Sequence, residues 1–327
     1  MTSSERAMAL DTATAGRLPD FFIVGHAKSG TTALYGMLRE HPEIYMPDLK
    51  EPRFFSRELH PRLRDSKKHP RTLEQYRALF APALAEQLVG EASPSYLRSS
   101  KAAAAIAALR PDARLVAILR EPASYLRSLH AEKLQDHNET EKDLGKAIAL
   151  QEHRRRESER GEAVVPQALM YTDHVRYVEQ LSRYRALFPA EQMLVLIYDD
   201  FRADNRATVR EILRFLEVDD SVAIAPREAN PTVRVRSPRL YGLTRSMALG
   251  RGTGPRAAKE AIKAVTPRSF RRRALDATRR EVLFASPSPP DERLMLELRR
   301  RFKPEVVALS EYLNRDLVTL WGYDGLG

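Results

Sequence analysis

Two stretches of this chain carry residue types and spacings suited to anion chemistry. In GHAKSGTT (25–32), Gly25 and Gly30 keep the spacing of a nucleotide-triphosphate loop, G-x-x-x-x-G-K-[ST]. Thr31 and Thr32 follow the second glycine, however, and the only lysine, Lys28, lies inside the loop. Backbone N–H groups at a glycine turn entering a helix attract phosphate, with the helix dipole behind them. Ser29, Thr31 and Thr32 add hydroxyl donors and Lys28 a mobile positive charge. The lysine that reaches a γ-phosphate is missing, as is a carboxylate at a strand end to hold Mg²⁺. The loop therefore suits a 5′-phosphate bearing one further group, with no obligatory metal. In ILREPASYLRSLH (118–130), Arg120 leaves an apolar run and Ser128 follows eight residues later. An arginine at a strand end with a helical hydroxyl nearby can bind a second phosphate bidentately; the alternative is a solvated strand end.

These groups need a frame to hold them. FFIV (21–24) reads as a buried strand, and TTALYGMLREH as a helix with apolar residues at Ala33, Leu34, Met37 and Leu38. Strand, glycine loop and helix in that order argue against a chance pair of glycines. LVGEA (88–92), ARLVAIL (113–119) and MLVLIY (193–198) are further strands. The intervening KAAAAIAALR (101–110), the stretch opening at Pro122, YTDHVRYVEQLSRYRALF (171–188) and RATVREILRFLEV (206–218) read as helices. Two more, DERLMLELRRRF and PEVVALSEYLNRDL, close the chain after the breaker SPSPP (286–290). Alternation of this kind implies an α/β fold of three layers, a mainly parallel central sheet flanked by helices. Ligands of such sheets sit at the carboxyl ends of the strands, where the glycine loop lies.

At 327 residues, 43% hydrophobic and 30% charged, the chain can bury a substantial core. Residues 1–18 read as a loose polar leader with no apolar centre of the signal-peptide kind, and 19–327 as a single domain. No run approaches the length of a membrane span. The absence of cysteine excludes disulfide and thiol chemistry and fits a cytoplasmic protein. The net charge of +10 is unevenly spread: residues 234–282 hold 14 Lys or Arg and three acids. The variable segment 234–290 therefore carries the basic character. RRRESER (154–160) reads as a solvated helix face, and the single Trp321 as an anchor for the terminal helix.

Together the two anion-suited stretches resemble those of sulfotransferases that use 3′-phosphoadenosine 5′-phosphosulfate (PAPS). KSGTT is similar to that family's first signature, and Arg120-Glu121-Pro122 with Ser128 to its second. GEASPSYL (90–97), VLIYDDF (195–201) and NRDLVTLWGYD (314–324) also resemble family stretches. The resemblance implies a P-loop-like fold in which Lys28 contacts the phosphosulfate and steadies the leaving phosphate oxygen. It implies that Ser29, Gly30, Thr31 and Thr32 bind the 5′-phosphate, and that Arg120 and Ser128 bind the 3′-phosphate. A sulfuryl group carries one negative charge rather than two, so side chains can neutralise it without a metal. KEPRFFS (50–56) resembles the heparan-type stretch whose glutamate is the general base, and Glu51 matches that glutamate. Burial that raises its pKa would make it a better base. Arg53 stands where that branch has histidine; His26 is the alternative base, and an ion-paired Glu51 without catalytic work is the plain alternative.

The expected activity is sulfuryl transfer to a hydroxyl, or less readily an amine, of a small-molecule, lipid or carbohydrate acceptor, releasing PAP. The basic segment 234–282 could receive an anionic acceptor, an acidic carrier protein or a membrane surface, or merely cover the cofactor. No module for nucleic acid accompanies it. His130 reads as a packed histidine. His41, His60, His69, His137, His153 and His174 are scattered, so no metal site is expected. Two other classes stay open: a metal-dependent nucleotide phosphotransferase with a divergent loop, and a non-catalytic anion- or membrane-binding protein.

Overall fold

A computed structural model of the chain describes residues 17–60, 68–136, 138–161, 166–227 and 290–326, with the backbone of 234–235 and 284–285. The elements run β1 (Phe21–Gly25), α1 (Thr31–Leu38), β2 (Ile44–Tyr45), α2 (Leu73–Ala78), β3 (Leu88–Ala92), α3 (Ala102–Leu109), β4 (Arg114–Leu119) and α4 (Pro122–Gln135). They continue through α5 (Leu144–Ala149), α6 (Gln151–Glu159), α7 (Tyr177–Arg185), β5 (Met193–Ile197), α8 (Tyr198–Ala203), α9 (Asn205–Leu216), β6 (Arg234–Val235), β7 (Phe284–Ala285), α10 (Glu292–Leu313) and α11 (Leu317–Leu320).

β1 to β5 form one sheet in the order β2-β3-β1-β4-β5, with every pair parallel. Both faces of such a sheet are covered, which is why its strands read as unbroken apolar runs. Alternate residues supply the two faces. Phe22, Val24, Leu115, Ala117 and Leu119 enter a core shared with α2, α3, α4, α5, α7 and α10. Phe21, Ile23, Val116 and Ile118 enter a second core with α1, α8 and α9. Each fully buried Leu, Ile, Val or Phe contributes about 2 kcal/mol. That period-two split fixes the register, since a slip of one residue would exchange the two cores.

The chain order places the site. From β1 the chain moves toward β3 and β2, and later crosses to β4 and β5, so the direction reverses between the neighbouring strands β1 and β4. The helix after β1 packs on one face and the helix after β4 on the other. The carboxyl ends of β1 and β4 thus open a crevice at a topological switch point.

Several expectations need correction. Arg17 and Leu18, assigned to a loose leader, are tied down: Arg17 donates to the Leu84 and Ala85 carbonyls, and Leu18 packs on the core. Residues 171–188 are not one helix. A 3₁₀ turn over Tyr171–Val175 precedes α7, and Arg176, at φ −83° and ψ 64°, interrupts them. The two closing helices are one helix of 22 residues with Pro304 inside it. Proline lacks an N–H and disfavours a helix interior, but Leu298, Phe302, Val306 and Leu309 bury one continuous face across it. Tertiary packing outweighs the local preference. The edge strand β2, only two residues long, gave no periodic signal.

α6 is not a freely solvated face either, because Arg154 bridges to the buried Glu139 at 2.8 Å. Trp321 anchors the C-terminus as expected: it is 5% exposed, and its Nε1 donates to Asp199 at 3.0 Å. β6 and β7 pair antiparallel, and β6 lies against α4. The rest of the basic segment 234–282, and any partner binding assigned to it, lies outside the described residues. Among those residues no helix is long and apolar enough to cross a membrane.

Candidate active site

The glycine loop is held by backbone contacts at the mouth of the crevice. Its first amide, His26 N–H, donates to the Ile118 carbonyl of β4 at 2.8 Å. Gly25 must be glycine, since a Cβ there would meet Leu97 at 2.6 Å. Gly30 is the N-cap of α1 at φ +82°, and a Cβ would also press on the Phe201 ring at 2.8 Å. α1 has no side-chain cap and no acid in its first turn. Its first N–H groups, with the Ser29, Thr31 and Thr32 hydroxyls around them, are therefore suited to an external anion. Ser29 and Thr31 are buried, whereas Thr32 is exposed.

The second signature is built from β4 into α4. Glu121 caps α4 by accepting from the Ala123 and Ser124 amides at 2.9 and 2.7 Å, and Pro122 opens the helix. Arg120, just before the cap, turns its Nη1 onto the Lys28 carbonyl at 3.0 Å. Its guanidinium lies 4.9 Å from the centre of the Tyr198 ring. The Tyr177 hydroxyl holds the Arg120 carbonyl at 2.8 Å. The two motifs, 92 residues apart, are therefore in direct contact. Ser128 is buried farther along α4.

Lys28 has φ +61°, an uncommon conformation for a side-chain-bearing residue. Its Nζ rests 3.2 Å from Glu132, which Lys133 also holds at 2.6 Å. Burial works to raise the Glu132 pKa, but Lys133 and Lys28 together bring it below the ordinary value. Glu132 was not singled out from sequence. The available signal was its place one helical turn after Ser128, on the same side of α4.

His26 is fixed rather than free. It is 2% exposed, with Tyr125 and Tyr177 meeting its ring edge-on. Its Nε2 lies 2.7 Å from Gln180 Oε1, while Gln180 Nε2 donates to the Asp173 and His174 carbonyls. The glutamine oxygen must therefore accept, which makes Nε2 the protonated nitrogen of His26. Burial lowers its pKa to about 4 and keeps the ring neutral.

The 50–56 segment passes the carboxyl end of β3. The Glu51 amide donates to the Ala92 carbonyl at the end of β3 at 3.1 Å. Its carboxylate accepts from Lys50 at 2.8 Å and from Arg53 Nε at 3.1 Å. Burial does push its pKa upward, as the sequence reading anticipated. Lys50 and Arg53 more than reverse that push and bring it down to about 2. The anticipated raised pKa is thus replaced by an ion-paired, fully ionised carboxylate.

His60 follows this segment as the C-cap of a 3₁₀ turn over Arg57–Leu59. Burial, Arg53, Arg98 and Lys133 push its pKa down to about 3, against the pull of Glu51. Lys133 also bears on Glu132, beside Lys28. Glu51 and Lys28 are each ion-paired, Glu51 with Lys50 and Arg53 and Lys28 with Glu132. Among the described residues no cluster of His, Asp or Glu has the makings of a metal site. The acids following β5 are engaged elsewhere, Asp200 in a bidentate pair with Arg315 at 2.6 and 2.8 Å and Asp199 with Trp321.

The chain is 27% identical to mouse carbohydrate sulfotransferase 15, over 62% of this chain and 44% of that protein. It is 26% identical to mouse heparan sulfate glucosamine 3-O-sulfotransferase 3B1, over 61% of this chain and 46% of the relative. It thus spans just under half the length of these relatives. A sulfotransferase from Alicyclobacillus acidocaldarius superposes with a TM-score of 0.65 at 25% identity, covering 93% of this chain and 99% of that one. Residues 19–221, which contain the glycine loop, the Arg120–Ser128 stretch and the Glu51 segment, match the sulfotransferase family, and to that family the chain belongs.

Proposed function

We propose that this protein transfers the sulfuryl group of PAPS to a hydroxyl of a carbohydrate or other small-molecule acceptor, releasing PAP. The observation that carries the reading is the contact between the two phosphate motifs, Arg120 on the Lys28 carbonyl at 3.0 Å. One crevice then offers an uncapped helix N-terminus for a 5′-phosphate and an arginine for a 3′-phosphate.

In this reading Ser29, Gly30, Thr31 and Thr32 hold the 5′-phosphate, and Arg120 and Ser128 the 3′-phosphate. PAPS supplies an activated sulfuryl group beside the loop. Lys28 leaves Glu132 and places its ammonium against the charge that grows on the leaving phosphate oxygen. Glu51 accepts the acceptor hydroxyl's proton. As an ionised carboxylate with a pKa near 2 it is a weak base in isolation, so the bound acceptor must displace Lys50 or Arg53 from it. Glu51 is favoured over His26 because its carboxylate is 26% exposed at the crevice, whereas His26 is enclosed and its Nε2–H is committed to Gln180. A single-charged sulfuryl group is neutralised by Lys28 and its neighbours, so no metal takes part.

The test uses labelled PAPS with a panel of desulfated heparan oligosaccharides, simple glycosides and phenols, with PAP binding measured in parallel. Label transfer to a panel member that persists in EDTA, and PAP binding weakened at least tenfold by Arg120→Ala, are the expected results. Mg²⁺-dependent ATP binding without PAP binding would instead indicate a phosphotransferase.

A further inference from the structure

Glu91 is a buried carboxyl that the proposed chemistry does not use. It stands in the interior strand β3 opposite Phe22 of β1, at 0% exposure. A carboxyl in such a place is costly unless hydrogen bonds compensate. Its Oε2 accepts two, from the hydroxyls of Tyr76 at 2.7 Å and Tyr96 at 2.8 Å. Burial raises its pKa to about 7 against the pull of the Ser93, Tyr76 and Tyr96 hydroxyls, and the Glu51 charge adds to the rise.

Both tyrosines grip the segment that carries Glu51. The Tyr76 ring stacks on Phe54, with centroids 4.5 Å apart and planes 12° from parallel, and meets Phe55 edge-on at 5.2 Å. The Tyr96 hydroxyl accepts from the Phe55 amide at 3.4 Å while its ring meets Phe55 at 5.6 Å. Neighbouring residues add anchors from the β3 exit. The Arg53 amide donates to Ser93 Oγ at 2.9 Å, and the Ser56 and Ser95 hydroxyls lie 2.8 Å apart. The segment needs such fastening, because Glu51 and Arg53 hold φ values of +61° and +55°. Non-glycine residues persist there only where the surroundings over-determine them.

We propose that Glu91 is a positioning residue for sulfuryl transfer: by accepting both tyrosine hydroxyls it locks the clamp on Phe54 and Phe55 that holds the Glu51 carboxylate over the crevice. This rests on Glu51 as the base. The clamp itself is read without any acceptor, from hydrogen exchange of residues 51–56 in the full chain.

Glu91→Ala should speed exchange of those amides about tenfold and lower turnover onto a desulfated heparan oligosaccharide ten- to thirtyfold, with PAP affinity within twofold of wild type. Glu91→Gln, which keeps an acceptor oxygen for the tyrosines, should restore both. Should Glu91→Ala not fold, Tyr96→Phe removes one hydroxyl with little loss of volume and should show the same changes at smaller size. Unchanged exchange in Glu91→Ala overturns the proposal. So does a Gln variant no better than Ala, or PAP affinity falling in step with turnover. Full turnover in Glu51→Gln would instead remove the base reading, whereas an inactive Glu51→Gln beside a fully active Glu91→Ala removes only the positioning role.

Discussion

The glycine loop and the Glu51 segment both lie at the carboxyl edge of the sheet but are built in opposite ways. The loop is made of backbone: glycines at forced positions, an uncapped helix N-terminus, and one amide pinned to the neighbouring strand. The Glu51 segment is made of side chains, with an ion-paired rim above an aromatic floor and a buried carboxyl beneath. A backbone site tolerates any anion of the right size. A side-chain site is set by its neighbours, and in the proposed reaction this difference separates cofactor binding from acceptor chemistry. The two glutamates show it most directly, one held at a pKa of about 2 by adjacent cations and the other raised to about 7 by burial.

The sharpest way to break the comparison is on the loop side. Lys28→Ala should lower kcat about a thousandfold, the scale of removing a donor from a developing charge, while thermal unfolding stays near wild type. Equal losses in kcat and in folding stability would make Lys28 structural. On the acceptor side, Glu51→Gln should cost about a hundredfold in kcat, within the range for a general base, and leave PAP affinity within twofold. A matching loss of PAP affinity would merge the two sites into one.

The two glutamates should also respond to pH with opposite sign. Glu51, depressed to about 2, contributes stability that is present above its unfolded value near 4.5 and is lost as pH falls through 2. Glu91, raised to about 7, favours the fold below 4.5, and that contribution is lost as pH rises through 7. The cost at pH 8 is on the order of 3 kcal/mol. The wild-type Tm should therefore fall between pH 5 and 8, and Glu91→Gln should flatten that fall. A fall of the same size in both proteins would contradict a raised Glu91. The smallest effect is expected from Glu132→Gln, which releases Lys28 from its carboxylate partner. PAP should then bind two- to threefold more tightly, and weaker binding in calorimetry would show that Glu132 orients Lys28 rather than restraining it.

Legibility followed the same division. GHAKSGTT, the Arg120 strand end and the Pro122 helix start could be read because each depends on residues adjacent in the chain. The electrostatic state of Glu51 could not, although its cations are close neighbours. Whether burial or Lys50 and Arg53 dominate depends on how far the folded chain withdraws them from water. Glu132 and Gln180 were missed for a related reason: each acts on a loop residue more than a hundred positions away. Pro304 misled because local helix preference is weak beside an apolar face that stays in register across it.

The sequence by itself determined the alternating α/β frame, the anion loop and the displaced Lys28, because strand periodicity and glycine placement act over a few residues. Only the tertiary structure decided that Arg120 touches the Lys28 carbonyl, that His26 is enclosed, and that Glu91 lies beneath the segment bearing Glu51. Those facts depend on which strands become neighbours, and strand order is set by the packing of two cores rather than by any short stretch of chain.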